Sequence, residues 1–310
     1  MTSTIEKDIE SIPQILRQTS ARVAEEGAGL RSLLRDSAAF LGCGSSHCIA
    51  LAAATLYETT RGAPGQAIAG SEYRARPGWN HLVVSRTGQT SELVEALRKA
   101  RAAGARIGLI RGDPDSPAEA LADEVLPLEF ASEQGVVQTR FILAALYALR
   151  LLIGDEQTAR TLADLPERVQ RGMQRFEPEP LARYQHIVFL GRSWRYGLAR
   201  LAALNLQETA LLAPESHQTL EYRHGPIAAA NERTLVWCFD PPTEELSAAV
   251  IRDVYATGAS VYRSDDDPLV QLAQEYCFAV QHAKQRGLDP DAPRHLTRAI
   301  VLPQGGGQHA

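Results

Sequence analysis

Short apolar runs, each stopped by a turn rich in Gly, Ser or Thr and followed by a helical pattern, recur along the chain. Residues 38–41 (Ala-Ala-Phe-Leu) stop at Gly42-Cys43-Gly44-Ser45-Ser46, and an Ala-rich helical stretch runs on to about Tyr57. Residues 81–84 (His-Leu-Val-Val) turn at Ser85-Arg86-Thr87-Gly88-Gln89-Thr90 before a helix over 92–103, and residues 106–110 and 124–128 read as further strands. The second half repeats the scheme. Residues 186–190 end at Gly191-Arg192-Ser193, and residues 235–239 end at Asp240-Pro241-Pro242-Thr243 before a helix from about Glu244. Ahead of all this, Ile5, Ile9, Ile12 and Ile15 are spaced three or four apart, which predicts two helical segments over 5–35 interrupted at Pro13.

Strands that alternate with helices are joined by right-handed crossovers and form a parallel sheet covered on both faces. Leu41-Gly42 and Leu190-Gly191 lie 149 residues apart, and Ala103-Gly104-Ala105 and Thr257-Gly258-Ala259 lie 154 apart, which points to an internal duplication. The expected fold is α/β: two doubly wound, flavodoxin-like parallel sheets in tandem, about five strands each, after an N-terminal helical segment. A connecting helix over 159–176 and the break Glu177-Pro178-Glu179-Pro180 divide the chain into 1–36, 37–178 and 179–310, with Gly305-Gly306-Gly307 in a loose tail.

Composition narrows the function. The chain has 310 residues, 45% of them hydrophobic and 22% charged, enough for a sizeable core. A net charge of -5 with dispersed Lys and Arg argues against a nucleic-acid partner. The most apolar window, 141–153, contains Arg150 and falls short of the ~20 residues of a membrane span, so a buried helix and no membrane partner are expected. Four cysteines without a C-x-x-C pair suit a reducing cytoplasm, as does an acidic N-terminus that does not read as an export signal.

Ligands of doubly wound sheets sit beyond the carboxyl ends of the strands, so the turns after Leu41 and Val84 are where chemistry is expected. Ser45, Ser46, Ser85, Thr87, Thr90 and Ser91 put six hydroxyls near two helix N-termini, where free N–H groups favour a phosphate, and Arg86 could add a full charge. The same hydroxyls could equally serve as helix caps. Gly42-Cys43-Gly44 echoes a dinucleotide fingerprint, but His47 replaces the third glycine, and no cofactor is expected. Glu208 lies in an apolar helix over 198–212, where a carboxylate is costly unless paired or used. His217 and Glu221 are four apart without a third ligand, so no metal is expected.

Taken together, six segments resemble the SIS (sugar isomerase) family in its two-domain form: G-C-G-S-S-H at 42–47, S-R-T-G-Q-T at 85–90, E-Q-G-V-V-Q-T-R at 133–140, N-L-Q-E at 205–208, E-x5-E-Y-R-H-G-P at 215–226 and D-P-D-A-P-R-H-L-T-R at 289–298. The chain looks like the isomerase half of glucosamine-6-phosphate synthase and its relatives, the amino-sugar-phosphate deaminase/isomerases and fructosamine-phosphate deglycases. That resemblance implies a phosphate seat at Ser45, Ser46, Ser85, Arg86, Thr87 and Thr90, with Gly44, Val136, Gln138, Glu221 and Arg298 also touching substrate. It implies that Glu208 moves protons between C1 and C2, with Glu221 and Glu133 next in line, and that His224 opens the sugar ring across a homodimer interface. A carboxylate suits the first task and a histidine the second. The relatives carry lysines where this chain has Asn205 and Arg298, and an arginine does not form a Schiff base. No glutamine amidotransferase domain is expected, since position 2 is Thr and not the nucleophilic Cys. The resemblance thus implies a phosphosugar isomerase, deaminase or deglycase, or alternatively a non-catalytic sugar-phosphate sensor.

Overall fold

A computed structural model describes residues 3–177, 180 and 183–302. The alternating pattern becomes two sheets in which every neighbouring pair is parallel. The first has the order β2-β1-β3-β4-β5, with β1 Ala38–Gly42, β2 Gly65–Ala69, β3 Asn80–Ser85, β4 Ile107–Arg111 and β5 Glu124–Pro127. The second has the order β7-β6-β8-β9, with β6 His186–Gly191, β7 Glu215–Gln218, β8 Thr234–Cys238 and β9 Ser260–Tyr262.

The second sheet therefore has four strands among the described residues, not the five expected. After β9 comes Arg263-Ser264-Asp265-Asp266-Asp267, too charged for a buried strand, and the chain passes directly into α11, Pro268–Gln285. Three strands escape the periodicity, all of them sheet edges: β2 is half-exposed, β7 (Glu-Ser-His-Gln) has no apolar residue, and β9 (Ser-Val-Tyr) is only three residues long. Three helices instead of two precede β1: α1 Thr4–Glu10, α2 Ile12–Glu26 and α3 Ala28–Leu33. Pro13 sits in the first turn of α2, where its missing N–H costs nothing. The connector is likewise two helices, α7 Glu156–Thr161 and α8 Leu165–Gln174, with Pro166 opening the second. The boundary at 178 and the three tail glycines lie outside the described residues.

Both halves contribute to the largest hydrophobic cluster. Phe40, Leu82 and Ile110 on one sheet and Phe189 and Trp237 on the other face helices α4 (Ser45–Arg61), α6 (Arg140–Ile153), α9 (Arg195–Ala210) and α11 between them. The outer faces are covered by α5 (Ser91–Ala102) on the first sheet and α10 (Glu245–Ala256) on the second. At the centre α4 and α9 touch backbone to backbone: a Cβ on Gly197 would lie 2.6 Å from the Cys48 carbonyl oxygen. That close approach sets α9 directly against α4, the helix that starts at the carboxyl edge of the first sheet. No helix is long and apolar enough to cross a membrane among the described residues.

Candidate active site

The first strand ends against its own helix. At Gly42 a Cβ would lie 2.5 Å from the Ser46 carbonyl carbon, and only glycine lets α4 start that close to β1. Gly44 caps the helix at φ +54, a conformation that L side chains rarely adopt, and Gly88, at φ +62, packs on Ser116 in the second turn. The two turns thereby converge at the carboxyl edge of the sheet. Between them lies a cavity of about 40 Å³ lined by Ser46, Ser85, Arg86, Thr87, Thr90 and Gln138, with Arg298 beside them. On a scale of roughly 10–15 Å³ per enclosed water, that admits a compact oxyanion but not a sugar ring.

The hydroxyls keep their donors for such an anion. Ser85 Oγ accepts from the Gly88 N–H (3.0 Å) and Thr87 Oγ1 from the Gln89 N–H (3.3 Å), which fixes the turn and leaves each O–H proton to give away. Thr90, the N-cap of α5, makes no side-chain cap bond, and the N-cap of α4 is Gly44, so no serine hydroxyl occupies that position. The hydroxyls at 46, 85, 87 and 90 therefore cap neither α4 nor α5. Gln138 adds a buried Oε1 without a partner.

Arg86 differs from the free charge expected of it. Only 2% exposed, it donates through Nη1 to the Gly135 carbonyl (2.7 Å) and through Nη2 to those of Val136 (3.2 Å) and Arg298 (3.3 Å), with the Glu133 carboxylate 3.7 Å away. Its Nε–H has no partner and is the donor left for the cavity. The guanidinium thus staples the turn after β3 to two distant segments. Glu133 is itself fully buried and accepts from the Thr139 N–H (3.0 Å) and hydroxyl (2.8 Å); burial pushes its carboxyl up against the pull of Arg86. Val136 contributes only its carbonyl. Arg298 pairs with Asp113, whose carboxyl it holds below the usual range against burial, and donates to the Glu133 carbonyl. Its chain neighbours pin the C-terminal segment by the Ser91 N–H to the Ile300 carbonyl (3.0 Å) and the Leu302 N–H to Ser91 Oγ (2.9 Å).

Glu208 projects from α9 toward this edge. Burial raises its carboxyl from 4.5 to about 7, with the opposing field of Arg86 too weak to restore it. A carboxylate poised there exchanges protons at neutral pH. One turn earlier Asn205 is 3% exposed with Oδ1 unpartnered. The hydroxyl of Tyr276 on α11 is fully buried and unpartnered, within the fields of Glu208, Glu133 and Cys48. Nothing in the sequence marked Asp113, Tyr276 or the Glu133–Arg86 pair, because each contact joins segments far apart in the chain.

Not every expected residue joins the site. Ser45 is buried beside the cavity without lining it, and Gly44 lines a larger cavity next door. Glu221 and His224 sit exposed on the short 3-10 turn Glu221–His224 beyond β7 and line neither cavity; Glu208, half-buried, lies outside both linings as well, and the field of Arg86 is what ties it to the smaller one. Among the described residues no group of three His, Cys, Asp or Glu side chains could hold a metal ion.

Residues 35–154 match the family model described as the SIS domain. A glutamine–fructose-6-phosphate aminotransferase (isomerizing) of Zymomonas mobilis is 26% identical, the match covering 84% of this chain and 51% of that protein. One of Xylella fastidiosa is 27% identical over 96% of this chain and 59% of its own. The chain thus spans between half and three fifths of the length of these curated relatives. Among solved structures, glucosamine-6-phosphate deaminase of Thermotoga maritima superposes with a TM-score of 0.78 at 24% identity, over 97% of this chain and all of that one. Tagatose-6-phosphate ketose/aldose isomerase of Escherichia coli gives 0.77 at 19% identity, over 97% and 96%. The resemblance read from the six motifs is borne out, and the likeness of fold extends over nearly the whole chain.

Proposed function

We propose that this protein binds a phosphorylated sugar at the first sheet and enolises it between C1 and C2, as a ketose–aldose isomerase or an amino-sugar-phosphate deaminase. The observation that carries this is Glu208: a carboxyl raised to about 7, in the field of the arginine that lines the oxyanion cavity. With the phosphate held by Ser46, Ser85, Thr87, Thr90 and the Arg86 Nε–H, the sugar extends toward α9. Glu208 takes the proton from the carbon next to the carbonyl, leaving an enediolate, and returns it to the neighbouring carbon while the hydroxyl proton passes from one oxygen to the other. With an amine at C2 the product is an imine, which water converts to ketose and ammonia. No lysine lines the oxyanion cavity, so a Schiff base to the protein is not part of the mechanism.

The closed sugar must open first, and His224 is assigned that proton transfer from a partner subunit, which its exposed turn supports. A cytoplasmic homodimer with shared sites follows, built of an N-terminal segment (1–36), a first SIS domain (37–178) and a second one (179–310) whose strand order matches the first. A sensor without turnover is favoured by one feature: Arg298, at a family lysine position, is committed to Asp113.

The test is exchange. Hexose and hexosamine phosphates incubated with the protein in deuterated water should take deuterium at C1 or C2, read by NMR, and Ser85→Ala with Thr87→Ala should weaken their binding about tenfold or more while leaving free sugars unaffected. Binding without exchange for every sugar phosphate would overturn catalysis in favour of the sensor. Equal binding of free and phosphorylated sugars would remove the seat.

A further inference from the structure

Arg86 and Arg298 are the only charged residues lining the oxyanion cavity among the described residues, and each is already matched by a carboxylate. Behind Arg86 stands Glu133, fully buried, with Oε1 3.7 Å from Nη1. Burial raises the Glu133 carboxyl, but the groups bonded to it, the Thr139 N–H and hydroxyl and the Arg140 N–H (3.3 Å), are donors and hold the ionised form. The Arg298 guanidinium makes two bonds to Asp113. Asp8, the other carboxylate whose field reaches Glu133, is matched by Arg140 (3.0 Å), and Glu208 brings no positive charge. The three arginine–carboxylate pairs thus cancel. The helix starts are partly covered too: the Ser91 N–H of α5 is taken by the Ile300 carbonyl and the Ser46 N–H of α4 by that of Cys43 (3.1 Å). What remains for an anion is the hydroxyls of Ser46, Ser85, Thr87 and Thr90 and the Nε–H of a neutralised arginine.

We propose that this seat recognises a tetrahedral oxyanion by shape and hydrogen bonds and not by a second negative charge, with Glu133 as the residue that sets this, so that sugar sulfates as well as sugar phosphates are its ligands. The inference rests on the proposed binding of a sugar phosphate at this seat and widens its ligand class. A phosphate monoester gains its second charge at about pH 6, whereas a sulfate monoester keeps a single charge throughout; both offer the same terminal oxygens to the same donors. An arginine without a counter-charge in a buried, poorly screened place favours the dianion strongly. Where a buried carboxylate cancels that arginine, the second charge gains little and still has to leave water. Glu133 is therefore what separates a seat for oxyanions in general from a seat for phosphate dianions.

Calorimetry at constant ionic strength compares glucose 6-phosphate and fructose 6-phosphate with the corresponding 6-sulfates. The protein's own titrations act on both esters alike, so the ratio of the two affinities isolates the effect of the second phosphate charge. In the wild type the sulfate should bind within about tenfold of the phosphate, and the ratio should change less than about threefold between about pH 5 and about pH 8. Glu133→Gln should still bind the sulfate, which reports an intact seat, while its ratio rises about tenfold or more in favour of the phosphate over that range; Glu133→Asp, which keeps the charge, should leave the ratio flat. A wild-type ratio that climbs with pH, a sulfate weaker by more than about tenfold, or a Glu133→Gln ratio as flat as that of the wild type overturns the proposal. Should Glu133→Gln fail to fold, the two wild-type measurements decide it. Failure of the sulfate alone removes only the wider ligand class, whereas failure of both esters in the wild type removes the sugar-phosphate assignment itself.

Discussion

Replacing Glu208 by Gln should make the protein more stable and less active at once. The rise of its carboxyl from 4.5 to about 7 corresponds, at about 1.4 kcal/mol per pH unit, to a ceiling of about 3 kcal/mol for keeping the ionised form in the fold. Because the side chain is only half-buried, water screens part of this, and about 2 kcal/mol is the working expectation. The sign follows from the direction of the shift. A folded-state value above the unfolded one means that the protein holds the proton more tightly than the denatured chain, so its contribution to stability is complete below about pH 4.5 and is lost as pH rises to about 7. Glu208→Gln cannot ionise. Its unfolding free energy relative to the wild type should therefore gain about 2 kcal/mol between pH 4.5 and pH 8 and stay level above, whatever the glutamine does to packing. Urea unfolding of both proteins at several pH values measures this, and every other titrating group cancels in the difference. Turnover should fall by about a hundredfold or more while sugar-phosphate binding persists. The reasoning is refuted if the stability difference is flat across that window, or if the variant still moves the proton.

Two further outcomes are expected. Mixing Glu208→Gln chains with His224→Ala chains should restore part of the turnover that each has lost, measured against the same chains kept apart, and no recovery at any ratio would return the ring-opening role to a residue of the same chain. Asp240→Asn should lower stability by about 1.5–3 kcal/mol in denaturant titrations without changing sugar-phosphate affinity, since the aspartate accepts from the Arg192 N–H (2.8 Å), Thr219 (2.6 Å) and Ser247 (2.7 Å) in the second sheet alone; weakened phosphate binding would show that the second half takes part in the seat.

What could be read from the sequence divides along physical lines. Strands buried on both faces, such as 38–41 and 81–84, announce themselves as apolar runs, and the turns after them follow from Gly and hydroxyl content, so the sheet edge and the residues lining the oxyanion cavity were legible. Of the four edge strands only β5 was: Glu215-Ser216-His217-Gln218, for one, is held by backbone pairing to β6, which leaves no trace in side-chain polarity. The long helix α11 gave no signal because it is buried almost all round, including Gln271, Glu275 and His282, and so lacks the polar stripe of a surface helix. Arg86 shows the limit in the site itself. Its identity suggested a charge for the phosphate, but three of its contacts are to carbonyls 49, 50 and 212 residues away, and no local pattern encodes them.

The matching registers of the two sheets also show how their corresponding corners differ. In the first sheet Leu41 pairs with Val83, and in the second Leu190 pairs with Cys238, so two residues further on Asp240 stands where the first sheet has Ser85. The same register sets Arg192 opposite Cys43 as the residue after the strand's closing glycine, and Thr219, after β7, opposite Gly70, after β2. In the first half that corner is open and lined by hydroxyl donors. In the second, the Asp240 carboxylate fills it, taking a backbone N–H and two hydroxyls, the kinds of donor that would greet a phosphate. A buried anion already satisfied by three donors leaves no reason for a second to enter and repels one that tries. The Asp240 carboxylate thus ties the second sheet's corner together from within, whereas the corresponding corner of the first sheet keeps its hydroxyls free of any such internal anion.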